Sequence, residues 1–260
     1  MTYSLRPRFS RRFSRRFCTT FAIAVLFHAT APASAQSLVP QTSEPKVSRA
    51  FSGLFRDTVT DFRGLTSRKP LTILGIGAIA AAAAHVADPS MTSMLATDRA
   101  SFLSPGETIG SARMQLAGAL ATFAAGHITG SATVTAVGAD LVSANIVAQT
   151  LTGAIKMSVR RGRPDGTQFS FPSGHTSVSF ASATVLQRHY GWKAGVPAYA
   201  MASYVAASRI HDRRHFLSDV AFGAAVGIVS GWTVTMGDGD AQVTVAPVAA
   251  PGGAGVSLSW

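Results

Sequence analysis

The sequence is almost without cysteine. Its single one, Cys18, falls in an N-terminal segment with the features of a targeting signal. The rest of the chain can form no disulfide, offer no thiolate nucleophile and hold no Cys-ligated zinc. Acidic residues are also scarce, 12 Asp and Glu against 23 Lys and Arg. The carboxylates near the chemistry-bearing motifs are Asp165, Asp212 and Asp219, with none of the acidic clusters that paired metal ions require. No metal or cofactor is therefore expected. Aromatic residues make up 8%, and no basic stripe alternates with stacking rings, which argues against a nucleic-acid partner.

What is abundant is small and apolar. Hydrophobic residues reach 47% and charged ones only 13%, so the chain hides most of its surface in packing or lipid. Alanine and glycine let helices approach closely, in water or in a bilayer. The net charge of +11 overstates the basic character of the folded part, because six arginines lie in the first sixteen residues and the surplus from Gln36 onward is +5. That remainder clusters around 156–163 and 209–214, as a local basic pocket would.

The N-terminus reads as a secretory signal: a positive stretch at 6–16, an apolar one at 17–27, and Ala33-Ser34-Ala35 before Gln36. Periplasmic export with cleavage after Ala35 is the expectation, and an uncleaved anchor is the alternative. Beyond the signal, residues 36–46 form a polar linker, and 47–62 carry apolar residues at helical spacing. Six Ala-rich helices follow, at 71–86, 112–126, 132–159, 173–189, 194–208 and 216–235, separated by breakers such as Asp88-Pro89, Ser104-Pro105-Gly106 and Gly191. The tail alternates with β-branched residues on either side of Pro251-Gly252-Gly253. The fold class is all-α: a compact six-helix bundle with an N-terminal amphipathic helix and a C-terminal β-hairpin. It divides into signal peptide (1–35), linker and amphipathic helix (36–70), helical bundle (71–236) and hairpin (237–260).

Three segments carry the chemistry: Lys156-x6-Arg163-Pro164, Phe171-Pro172-Ser173-Gly174-His175-Thr176, and Ser208-Arg209-x5-His215-x3-Asp219. Lys156, Arg163 and Arg209 are three fixed cations at helix ends, suited to a dianionic phosphate and its charged transition state. His215 and Asp219, four residues apart, share one helix face, so the carboxylate can hold one imidazole nitrogen and leave the other free to attack phosphorus. His175 follows Ser173-Gly174 at a helix N-terminus, where it can protonate a leaving oxygen while backbone N–H groups face the phosphate. Ser173 supplies a hydroxyl, and Gly174 a close backbone approach. His85 and His127 read as structural residues away from the motifs, and His189 and His211 as loop or surface residues, with His211 near enough to touch a substrate. Arg160, Arg161, Arg213 and Arg214 read as rim or supporting charges.

In residues and spacing these segments resemble the three-part signature of the type 2 phosphatidic acid phosphatase superfamily, which includes bacterial acid phosphatases and vanadium haloperoxidases. The resemblance covers about 71–231. It implies a metal-independent phosphatase in which His215 is transiently phosphorylated and Asp219 fixes its tautomer, acting on a lipid phosphate or diphosphate or a soluble organophosphate. Of the longer second motif of class A acid phosphatases only Ser170 to Thr176 is present, which weakens a broad-specificity reading. A vanadate-dependent haloperoxidase and a non-catalytic exported anion-binding protein are the alternatives.

The family's membrane enzymes have six-helix cores with outward-facing sites. After a cleaved signal, three crossings before Lys156 would put the motifs on the cytoplasmic side. The first helix is near the minimum for spanning and others are diluted by polar residues. A soluble or peripherally attached periplasmic bundle is favoured on that ground, ahead of an integral membrane domain.

Overall fold

The computed structural model describes residues 64–236, together with the backbone of 244–250 and 253–259. The expected signal peptide, linker and 47–62 helix lie outside the described residues. Among those described, the chain forms α1 (Arg68–His85), α2 (Asp88–Leu95), a 3-10 turn (Asp98–Leu103), α3 (Gly106–Ile109), α4 (Ala112–Thr129), α5 (Ala132–Val159), α6 (Gly174–Tyr190), α7 (Trp192–His211) and α8 (Leu217–Thr235). Two strands, β1 (Thr244–Ala250) and β2 (Gly253–Ser259), pair antiparallel, with Thr244 opposite Ser259 and Ala250 opposite Gly253.

Among the described residues there are thus eight α-helices where the sequence suggests six. The additions, α2 and α3, begin at Asp88-Pro89 and beside Pro105-Gly106, which the sequence reading took for loops. Proline in a first helical turn loses no hydrogen bond and brings a helical φ, so a breaker can also start a helix.

The long helices begin and end for local reasons. Ser111, Ser131 and Ser173 are N-caps whose hydroxyls accept from the amides of Met114, Val134 and Thr176. Such caps satisfy amides that the first turn leaves unpaired. Gly130 closes α4 at φ 69°, and Arg160 closes α5 in the left-handed region at φ 51°, its amide returning to the carbonyl of Lys156 at 3.0 Å. That reversal turns the chain back over the end of the bundle, where Arg161 and Arg163 follow.

α8 is central and packs against α6, α1 and α5. A glycine ladder permits the closest of these contacts. A Cβ on Gly223 would lie 2.7 Å from the carbonyl oxygen of Ser173, and one on Gly231 would lie 2.7 Å from that of Ala181. The apolar core sits among α4, α5, α6 and α8, with Val137, Val147, Ala148, Val178, Val185 and Val234 buried together.

α5 and α8 are long and apolar enough to cross a membrane, by length and composition, and α1 with α2 would make a third span if that pair, bent by 73°, acts as one. Exposed apolar side chains line α1 (Leu71, Ile76, Ile79) and α4 (Met114, Leu120, Ile128). The polar dilution that favoured a soluble bundle therefore does not extend to α5 and α8.

Candidate active site

Backbone and side-chain hydrogen bonds tie the three motifs together. Lys156, in the last turn of α5, donates from Nζ to the carbonyls of Phe169 (2.7 Å) and Ser170 (3.2 Å), joining the first motif to the second. The amide of Ser173 donates to the carbonyl of Asp219 at 3.0 Å, joining the second to the third. Asp165, beyond Arg163, receives Arg214 at 2.8 Å, and its amide donates to the carbonyl of Arg213 at 3.1 Å. Hydrogen bonds from Thr167, reinforced by Arg214, hold the Asp165 carboxyl down to about 2. The loop between α5 and α6 is thereby fixed against the turn between α7 and α8.

His215 does not share a helix with Asp219. It precedes Phe216, the N-cap of α8, and the two side chains meet because Asp219 folds back over the first turn. Asp219 Oδ2 accepts from the amide of Phe216 at 2.8 Å and from the hydroxyl of Ser170. This is the returning half of a capping box. His215 Nδ1 lies 3.6 Å from the same oxygen, beyond hydrogen-bond length, and is buried without a partner. Burial pushes the His215 imidazole down to about 4 against the pull of Asp219, with Lys156 and Arg163 adding to the fall.

Arg209 occupies the last turn of α7, which runs past the expected end at 208, and is only 1% exposed. Its Nη1 lies 3.7 Å from Glu107 Oε1 and its Nη2 pairs with Asp212. The Nε atoms of both Arg209 and Arg163 are buried with no hydrogen-bond partner. Unpaired buried donors are rare and mark a place where something polar belongs.

His175, at the start of α6, is pushed down to about 4, first by burial and then by the charges of Arg209, His215, Lys156 and Arg163. Charges of all four residues reach His175, so both histidines and the three cations lie toward one end of the bundle. Beside His175 opens a cavity of about 420 Å³ lined by Glu107, Thr108, Ser111, Ala112 and Arg113. Ser173 accepts from the Thr176 hydroxyl at 3.0 Å and is fully buried. A Cβ at Gly174 would meet only ordinary contacts, 3.6 Å from Thr152 and 3.7 Å from Gln149. Its protein neighbours therefore do not demand glycine there.

Several residues play parts that sequence reasoning missed. His85 is not remote from the motifs: its Nδ1 lies 2.9 Å from Asp88 Oδ2, and Arg161 reaches both. Asp88 and Ser218 lie beneath Asp219, and the sequence signal for Asp88 was a carboxylate between two apolar runs in an acid-poor chain. His189 is no loose surface residue, since it pairs with Asp140 of α5 at 2.7 Å. His211 points its Nδ1 at the carbonyl of Leu95 at 2.8 Å. His127 stacks edge-on against Phe123. Among the described residues, no group of three or more His, Cys, Asp or Glu could hold a metal ion.

Residues 137–240, which include all three motifs, match the family profile described as PAP2 superfamily. Across that segment the chain is similar to the PAP2 superfamily. Within it, 85 residues are 47% identical to a lipid A 1-phosphatase of Porphyromonas gingivalis, a match covering 31% of this chain and 19% of that protein. A stretch of 79 residues is 37% identical to a probable diacylglycerol pyrophosphate phosphatase 1 of Schizosaccharomyces pombe, covering 25% of this chain and 28% of that one. The chain thus spans less than a third of the length of either relative in these matches. A structural neighbour is the crystal structure of a transmembrane PAP2-type phosphatidylglycerolphosphate phosphatase from Bacillus subtilis, with a TM-score of 0.42 and 19% identity over 72% of this chain and 94% of that one.

Proposed function

We propose that this protein is a metal-independent phosphatase of the PAP2 type that hydrolyses a lipid phosphate or diphosphate through a phosphohistidine on His215. One observation carries the reading: Nε of Arg163, Nε of Arg209 and Nδ1 of His215 are buried and unpartnered at one end of the bundle. A bound phosphoryl group would give the two guanidinium groups the acceptors they lack.

In the first step the other ring nitrogen of His215, Nε2, attacks phosphorus in line. Asp219 receives the Nδ1 proton's hydrogen bond as positive charge grows on the ring, closing the 3.6 Å gap. Arg163, Arg209 and Lys156 balance the charge on the equatorial oxygens, with the Ser173 hydroxyl and the Gly174 amide at the start of α6. With the substrate's negative charge bound among the cations, His175 takes up a proton and gives it to the departing oxygen as the P–O bond breaks. In the second step His175 takes a proton from water, which attacks the phosphohistidine and releases phosphate.

The substrate class rests on the relatives named as phosphatases of lipid A and diacylglycerol pyrophosphate and on two helices apolar enough for a bilayer. The layout proposed with it is a cleaved signal (1–35), a linker with amphipathic helix (36–70), the catalytic bundle (71–236) built on the six long helices, and a hairpin (237–260), exported and held at the periplasmic membrane.

The test is phosphate release by the purified protein from a lipid phosphate and from p-nitrophenyl phosphate in parallel, with and without EDTA. Turnover that resists EDTA and disappears in His215→Ala, with the fold intact, is expected. Phosphate binding without release would refute the enzyme in favour of an anion binder, and halide oxidation seen only with added vanadate would replace it with a haloperoxidase.

A further inference from the structure

We infer that Arg161 and Asp88 are a positioning pair for the Asp219–His215 dyad, fixing which carboxylate oxygen faces the imidazole and at what angle. This rests on the proposed role of His215 as nucleophile.

Asp219 has two oxygens with separate duties. Oδ2 faces His215 and takes the Ser170 hydroxyl and the Phe216 amide. Oδ1 takes Arg161 Nη1 at 2.7 Å. A carboxylate held by one oxygen alone can swivel about its Cβ–Cγ bond, and Arg161 anchors the second oxygen. The guanidinium is itself held by further contacts. Its Nη1 also meets the Ser218 hydroxyl at 2.7 Å, its Nη2 meets Asp88 Oδ2 at 2.8 Å, and its plane lies 4.3 Å from the centre of the Phe216 ring.

Asp88 completes the frame. It is 2% exposed and belongs to α2, 130 residues before Ser218. Its Oδ1 accepts the Ser218 amide at 2.8 Å and its Oδ2 the Ser218 hydroxyl at 2.7 Å. It thereby satisfies an N-terminal amide of α8, in the same turn that carries Asp219. One guanidinium thus bridges two carboxylates, one from the bend after α1 and one from the dyad. A buried charged cluster is a costly way to hold helices together, whereas directional, two-pronged bonding suits the aiming of a carboxylate. Without Arg161, two like charges would face each other in a dry setting, and Asp219 would turn away or take up a proton. Either change loosens its grip on the imidazole.

The experiment uses the full chain and four variants: Arg161→Ala, Arg161→Lys, Asp88→Asn and His215→Ala. Each is assayed for kcat and KM on p-nitrophenyl phosphate, for phosphoenzyme trapped by acid quench, and for thermal melting. Misaiming by about 1 Å can cost ~10²-fold in rate. The expectation is therefore a fall in kcat of at least about tenfold for Arg161→Ala with KM nearly unchanged, because phosphate binding is not what the pair controls. Arg161→Lys restores the charge but reaches one carboxylate, and recovers part of the rate. Asp88→Asn, which keeps the shape, lowers kcat and slows phosphoenzyme formation in a protein that melts cooperatively. If Arg161→Ala does not fold, Asp88→Asn decides. A kcat within twofold of the parent in the folded variant, or a loss confined to KM, overturns the inference. His215→Ala separates the two layers: if it is inactive and forms no phosphoenzyme while Asp88→Asn is unaffected, only the positioning pair falls, and if it turns over like the parent, the nucleophile assignment falls with it.

Discussion

Gly227 of α8 lies so close to Ser177 of α6 that a Cβ on the glycine would sit 2.3 Å from the serine carbonyl oxygen. Backbone blocks that position, so no side-chain rotation relieves it. Ser173 caps α6, His175 lies in its first turn and His215 just precedes the cap of α8, so the spacing between these helices bears on the spacing between the two imidazoles.

Substituting Gly227 by valine is therefore expected to force the helices apart. Overpacking of this kind costs typically ~1–3 kcal/mol, and the rate should fall further than the melting temperature alone explains. Gly75 of α1, with nothing within 4 Å of its Cβ position, is the matching control. Its change to alanine should stabilise the helix by about 0.5–1 kcal/mol and leave turnover unaltered. Thermal melts and kcat for the two variants test the contrast.

A second expectation concerns acidity. Both imidazoles are pushed from 6.5 to about 4, so the unfolded chain binds protons between those values that the folded chain refuses. Stability is then greatest above pH 6.5, declines as the pH falls toward 4, and levels off below. Each imidazole accounts for up to about 3 kcal/mol at the low end. Urea midpoints measured from pH 7 to 4 should show this slope, and His175→Asn should flatten it. In kcat/KM, which reports the free enzyme, the limb on which His215 gains a proton and the limb on which His175 loses its own should both lie well below the ordinary histidine value.

Orthophosphate or vanadate should raise the melting temperature, because the folded state offers an anion two buried donors that otherwise have no acceptor. At a hundredfold excess over Kd the gain is ~2.7 kcal/mol. Arg163→Ala and Arg209→Ala should each remove most of the shift, and an unchanged shift in both would place the anion elsewhere.

The cavity beside His175 is lined by Glu107, Thr108, Ser111, Ala112 and Arg113, so hydroxyls and charges of both signs stand among its apolar surface. Arg113 lines the same cavity as His175 and pairs with no carboxylate among the described residues, and on the proposed function it would meet an anionic group on the departing fragment. Arg113→Ala should raise KM for a diphosphate more than for p-nitrophenyl phosphate. Equal effects on the two would argue against that contact.

Local signals were legible in the sequence. The stretch 132–159 expected as a helix is the helix found, Ala132–Val159, because a serine cap and an unbroken apolar run are properties of neighbours in the chain. The three motifs could be recognised because their residues occur in short windows with fixed spacing. The support beneath Asp219 could not be read this way. Arg161 meets Asp88 and His85 across 73 and 76 positions, and no periodicity encodes such a meeting. Asp88-Pro89 misled for a related reason, since the same dipeptide opens a helix or ends one depending on what packs behind it. His215 was placed on the helix with Asp219 by counting four residues. The count is right, but the helix starts two residues later.

Lys156 has three ammonium hydrogens, and two of them are spent on the carbonyls of Phe169 and Ser170. Its contribution to an anion is thus chiefly through-space charge, with at most one directed bond, and the loop it clasps doubles as its shield. Burial, with the Arg163 charge, pushes this amine down to about 8, yet it must release both carbonyls before it can attack. Acylating reagents should therefore label it more slowly than exposed lysines such as Lys193, and any label should unfasten the 169–170 backbone.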